Sequence, residues 1–123
     1  MAVEISKVNL REKLALFSEY WRPRVVGELN GQQVKLAKLK GTFDWHHHEH
    51  EDELFLVLKG ALLLRLCAGE VVLNEGEFFI VPRGVEHQPV AEEEVHVLFF
   101  EPASTLNTGN LRNEKTIEQL ERV

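Results

Sequence analysis

Between Val25 and Glu101 the chain is cut into short runs rich in Val, Leu and Phe. The cuts fall at Asn30-Gly31, Gly41, Lys59-Gly60, Ala68-Gly69, Asn74-Glu75-Gly76 and Pro82-Arg83-Gly84. Gly and Asn adopt the positive φ that reverse turns need, and Pro cannot donate to a ladder, so breaks this close leave room for strands joined by tight turns. A parallel sheet would need a long helical crossover between strands, and no such periodicity interrupts this region. The chain is therefore expected to be all-β, an antiparallel sandwich or barrel. The expected strands lie at about 24–29, 32–40, 42–48, 53–59, 61–67, 70–74, 77–81, 86–91 and 94–101.

The flanks read differently. Asn9 followed by Glu12 has the spacing of a capping box, and Leu10, Leu14 and Phe17 recur at helical spacing as far as Trp21-Arg22-Pro23. This predicts a short N-terminal helix over about 9–20. Beyond Pro102 the chain is polar, and Ile117 and Leu120 behind Thr116 predict a short C-terminal helix within a tail at 102–123. Asn107-Thr108-Gly109-Asn110 is expected to form a turn that closes over the barrel. With the barrel at about 24–101, the whole of 1–123 reads as a single domain. A chain of 123 residues buries roughly two thirds of its unfolded surface, so it needs no disulfide or metal merely to fold. Any metal site then calls for a functional explanation.

Several strands, notably Leu54–Leu58 and Val97–Phe100, are apolar on both faces. One face fills the interior, and the other needs cover from the N-terminal helix or a second copy of the chain. A homodimer is the expected assembly. Fourteen Lys and Arg against 20 Asp and Glu give a net charge of −6 with no basic stripe, which excludes nucleic acid and anionic membrane surfaces as expected partners. The longest uncharged apolar run, Leu54–Leu58, is far short of the roughly 20 residues of a membrane span. A lone cysteine and an N-terminus alternating charged with apolar residues favour a cytoplasmic protein. Cys67 ends an apolar strand and is expected to be a small core residue.

Four of the six histidines fall in Asp44-Trp45-His46-His47-His48-Glu49-His50-Glu51-Asp52-Glu53. On an extended strand alternate side chains share a face, so His46 and His48 point together while Phe43, Trp45 and His47 point the other way. If Phe43 and Trp45 pack outward, the two imidazoles look into the barrel. They form either a hydrogen-bonded core pair or two ligands of one cation, because unpaired polar nitrogens are costly in an apolar interior. Glu53 opens the next strand and can approach from beside them. Glu49, Glu51 and Asp52 read as a solvated acidic turn.

Gly41, His46-x-His48, Glu53 and Gly60 resemble the first conserved motif of the cupins, with four residues instead of five between the glycine and the first histidine. Gly76, Pro82-x-Gly84 and His87 match the second motif, except that Ala91 stands where its final Asn belongs. The whole chain resembles the small single-domain cupins often labelled mannose-6-phosphate-isomerase-like. The resemblance implies a jelly-roll β-barrel and a divalent metal held by His46, His48, Glu53 and His87, with His47, His50 and His96 outside. A shift of one ligand, to Asp52 or His50, stays open.

Three imidazoles and a carboxylate suit Zn, Fe, Ni or Mn, and four such ligands leave positions for water or substrate. The expected function is a metal-dependent enzyme, of dioxygenase or isomerase type, on a small oxygen-rich molecule. The alternative is a barrel without catalytic activity that binds a small ligand or senses the metal. Catalytic residues are not legible. Arg65, Arg83, Gln88 and His96 are the spare polar groups of the strands, and Arg65 is expected to face outward. Tyr20 is expected to pack within the first helix.

Overall fold

The computed structural model describes residues 5–123. Residues 1–4, part of the stretch read above as unlike a signal sequence, lie outside the described residues. One helix, α1 (Leu10–Leu14), precedes seven strands: β1 (Arg24–Leu29), β2 (Gln32–Thr42), β3 (Glu53–Lys59), β4 (Leu62–Leu66), β5 (Gly69–Leu73), β6 (Phe78–Val81) and β7 (His87–Pro102). The strands pair antiparallel in the order β1-β2-β7-β3-β6, and β4 joins β5 to β7. This is the expected jelly-roll barrel.

β7 organises it. Its first residues pair with β4, from Leu66–His87 to Leu63–Val90, and its later ones run between β2 and β3. Two strands were expected at 86–91 and 94–101. Instead one 16-residue strand continues through Glu92–Glu94, because Ala91 and Val95 keep the same inward phase while the register slips opposite Leu39 and Gly41. The even alternation Phe55, Val57 on β3 and Val95, Val97, Phe99 on β7 meets Ala37, Leu39, Leu62 and Leu64 in the core.

Both helices depart from expectation. Asn9 caps α1 by accepting from the Glu12 N–H at 3.0 Å, but the helix ends at Leu14 instead of near residue 20. None of its five residues is buried, and a helix with no buried face lacks the packing that supports short helices. Phe17, 7% exposed, leaves the helix to pack beneath Arg24 and Lys38. Tyr20 bridges to Lys38 and donates its hydroxyl to Glu94 at 2.7 Å, outside any helix.

The C-terminal helix is absent among the described residues. Asn107 bonds both the Lys115 carbonyl and the Ile117 N–H, and the Thr116 hydroxyl accepts from the Asn113 N–H. These side chains take the backbone groups that a helix would have used. The tail crosses the barrel as turns and returns to β1, where the Val25 N–H reaches Glu121 and the Val123 N–H reaches Val25. Cys67 lies in the turn after β4 and is exposed, correcting its expected burial. The inward phase of β4 is held by Leu62 and Leu64, whose alternation excludes Cys67.

A candidate metal centre inside the barrel

His46 and His48 were expected on a strand over 42–48. The segment after Thr42 is instead irregular, apart from one antiparallel bridge in which His46 and His87 exchange both backbone hydrogen bonds, at 3.0 and 2.9 Å. That bridge seats the segment on the first residue of β7. Phe43 also departs from expectation: it is 5% exposed, stacks on Trp21 and meets the His46 ring edge-on. The alternation breaks between Phe43 and His46, so Phe43 and both histidines face inward while Trp45 and His47 face out.

Glu53 opens β3 and His87 opens β7, each in phase with the core residues of its strand. Together with His46 and His48 they offer four ligand atoms within 4.8 Å of one another, and all four residues are buried. The tautomers of two rings are set by the backbone: His46 Nδ1 faces the Asp44 carbonyl at 2.8 Å and His87 Nδ1 faces that of Val85 at 3.0 Å. With the proton held at Nδ1, Nε2 keeps its lone pair for a cation.

The polar atoms facing the centre lack partners. Nε2 of His48 and His87 lie 3.3 and 3.4 Å from Glu53 Oε1, too poorly aligned to bond it. Both nitrogens of His48, His87 Nε2 and Glu53 Oε1 are buried without a hydrogen bond. Each such atom costs about 1–3 kcal/mol, and one cation between them would satisfy Nε2 of both rings and the carboxylate at once. The donor set therefore fits a divalent metal ion. Burial and the neighbouring His87 lower His46 to about 4, so it is neutral at pH 7. Glu53 lies well below the usual carboxylate range: burial would raise it, but the imidazoles of His48 and His87 outweigh that.

The other candidates stand elsewhere. Asp52 accepts from the Arg83 N–H at 2.8 Å and faces that side chain on the surface; His50 is exposed. His47 lies outside the cluster between Glu49 and Glu86, and His96 pairs with Glu94. Arg65 points outward, as expected, to Glu70 and over Trp45.

Two residues escaped the sequence reading. Lys35 and Glu101 are buried, with side chains 2% and 4% exposed, and form an ion pair of 2.5 Å inside the barrel. Burial and the adjacent Glu53 charge push Glu101 well above the carboxylate range, against the pull of Lys35. A cavity of about 40 Å³ joins this pair to His46 and Glu53, walled by Leu39, Phe43, Phe55, Phe99 and Trp21, with Asn107 and Leu120 of the tail at its edge. That volume holds a few water molecules. The signal for both was present: Lys35 is in phase with Ala37 and Leu39, and Glu101 with Val97 and Phe99.

The comparisons with known proteins agree with this fold. A cupin domain model matches residues 32–101, more than half of the chain. The chain belongs to the cupin family. A cupin-2 domain protein of Shewanella frigidimarina has a crystal structure that superimposes with a TM-score of 0.76 at 41% identity, covering 77% of this chain and 93% of that one. A Neisseria meningitidis protein aligns with a TM-score of 0.73 at 30% identity, over 80% of this cupin and 100% of the other chain. Among curated proteins, YdbB of Bacillus subtilis, an uncharacterized protein, is 39% identical over 65% of this chain and 66% of its own length. The 3-hydroxyanthranilate 3,4-dioxygenase of Bos taurus is 36% identical over 67 residues, half of this cupin but 23% of the bovine enzyme. No helix among the described residues is long and apolar enough to cross a membrane.

Proposed function

We propose that His46, His48, Glu53 and His87 hold a divalent metal ion, of Zn, Fe, Ni or Mn type, and that this cupin acts there on a small oxygen-rich molecule. The observation that carries this is the convergence of four buried side chains, three of which, His48, Glu53 and His87, turn atoms without hydrogen-bond partners toward one another. A bound ion supplies Lewis acidity, and with Fe(II) also one-electron redox chemistry. The chain's residues do the rest. Asp44 and Val85 hold the tautomers of His46 and His87, and the aromatic wall of Phe43, Phe55 and Phe99 keeps bulk water from the ligand.

The partial similarity to 3-hydroxyanthranilate 3,4-dioxygenase supports the dioxygenase type of reaction. The size of the cavity favours the second reading, a small-ligand or metal-sensing barrel without catalysis, because about 40 Å³ is small for an aromatic ring. Untagged protein purified without oxygen and subjected to elemental analysis tests the metal. Oxygen uptake by the Fe(II)-loaded protein with 3-hydroxyanthranilate and with simple diols and diketones separates the two readings: binding without consumption of any of them would favour the sensor.

We also propose a homodimer through the outer face of β3, β6 and β7. Leu54, Leu56, Leu98 and Phe100 lie in register there beside Ile80 and Phe78, which are 50% and 60% exposed.

A further inference from the structure

Lys35 has no role in the metal centre as described, yet a lysine buried inside a barrel is costly unless something uses its charge. Its ammonium has three N–H donors. Among the described residues its hydrogen-bond partner is Glu101 Oε2 alone. Glu101 Oε1 is buried and unpartnered. A surplus of donors on one side chain and an unpartnered oxygen on the next therefore face the cavity that His46 and Glu53 also line.

We infer that Lys35 and Glu101 form the second anchor of the ligand site, and that the ligand is a small hydroxy- or oxo-carboxylate bound between this pair and the metal. The inference rests on the metal reading above and names the ligand class for that site. Charge points to an anion. With a divalent ion in place, three positive charges from the ion and Lys35 face at most two negative ones, from Glu53 and Glu101, so the cavity is positive whether or not Glu101 carries a proton. Size points the same way, since about 40 Å³ admits only a ligand of a few heavy atoms. Chemistry completes the match. One oxygen-bearing end would face the ion, the carboxylate or its neighbouring oxygen would accept from Lys35, and a hydroxyl would pair with Glu101 Oε1.

The test uses full-length protein loaded with Co(II), whose visible bands report changes in coordination. Metal content is first measured by elemental analysis, before any ligand is added. Glycolate is then titrated, with ethylene glycol as its uncharged counterpart. The expected result is a saturable band shift with glycolate and none with ethylene glycol over the same range. Lys35→Met should keep the Co(II) content and weaken glycolate by about tenfold or more, as loss of a charged hydrogen bond does. Because Lys35→Met leaves Glu101 buried without its partner, Lys35→Met/Glu101→Gln serves as the second variant, and it too should keep Co(II) and bind glycolate weakly. Full Co(II) with wild-type glycolate affinity in a folded variant would overturn the inference, as would equal response to ethylene glycol. Failure of the wild type to take up Co(II) would instead overturn the metal reading, and this inference with it.

Discussion

At the scale of single residues, the centre combines one histidine held neutral, His46, with a carboxylate held charged, Glu53. The neutral form of His46 is favoured by burial and by His87. Its folded value of about 4 lies below the ordinary 6.5, so between those limits the unfolded chain binds more protons than the folded one. Stability of the metal-free protein is then complete above pH 6.5 and declines as pH falls towards 4, by up to about 3 kcal/mol from this residue. Urea melts of metal-free protein across that window should show the decline, and a flat profile would mean that His46 is not held neutral by burial. We predict that His46→Ala/His87→Ala abolishes stoichiometric metal while far-ultraviolet circular dichroism still reports a β-rich fold. Full metal content in that variant would remove both residues from the ligand set; an unfolded variant would make the ion structural, against what the size of the domain implies.

At the scale of elements, the tail is tied to the histidine segment at one end of the barrel. Gly109 has φ +58, and a Cβ there would lie 2.2 Å from the His47 carbonyl and 3.0 Å from His46 Cδ2. Beside it, Asn110 exchanges hydrogen bonds with the His47 backbone, and Asp44 holds Asn113 and Lys115. The backbone of the tail is thus pressed against the histidine segment where only glycine fits. Gly109→Ala should cost about 1–3 kcal/mol through strain and collision, speed amide exchange across 103–123, and weaken metal binding by displacing His46. Unchanged exchange in the tail would show that it does not hold the histidine segment. The N-terminal helix matters less: Asn9→Ala removes a cap worth about 1 kcal/mol from an element with no buried residue, so thermal melts should shift little and metal content not at all.

At the scale of the molecule, α1 lies along a groove with Leu58 and His96 at one end of the outer face of β3 and β7, while Phe78 and Ile80 of β6 stay exposed. Sedimentation equilibrium is expected to give a dimer for the wild type and a monomer with unchanged metal content for Phe78→Lys/Ile80→Glu. A wild type that sediments as a monomer would leave the apolar pairs Leu54–Ile80 and Leu56–Phe78 without the proposed cover.

Fold class and the four candidate ligands were legible because they depend on local signals: turn residues at short intervals, and side chains in alternating phase at the starts of β3 and β7. The alternation of Lys35 with Leu39 and of Glu101 with Phe99 was equally local, but two charges among apolar residues read as inward only once both strands are known to face one cavity. Other features depended on competition that periodicity does not report. The helix stopped at Leu14 with Leu10 and Leu14 only partly buried, and the tail stayed irregular because Asn and Thr side chains bind its backbone. Phe43 turned inward because the backbone leaves the ladder between it and His46. The chain by itself determined a barrel with histidines and an acid at matched positions, since hydrophobic phase and turn chemistry are written residue by residue. Only the tertiary structure decided which charges share the cavity with them and what lies at its edge, because those follow from strands and a tail brought together from opposite ends of the sequence.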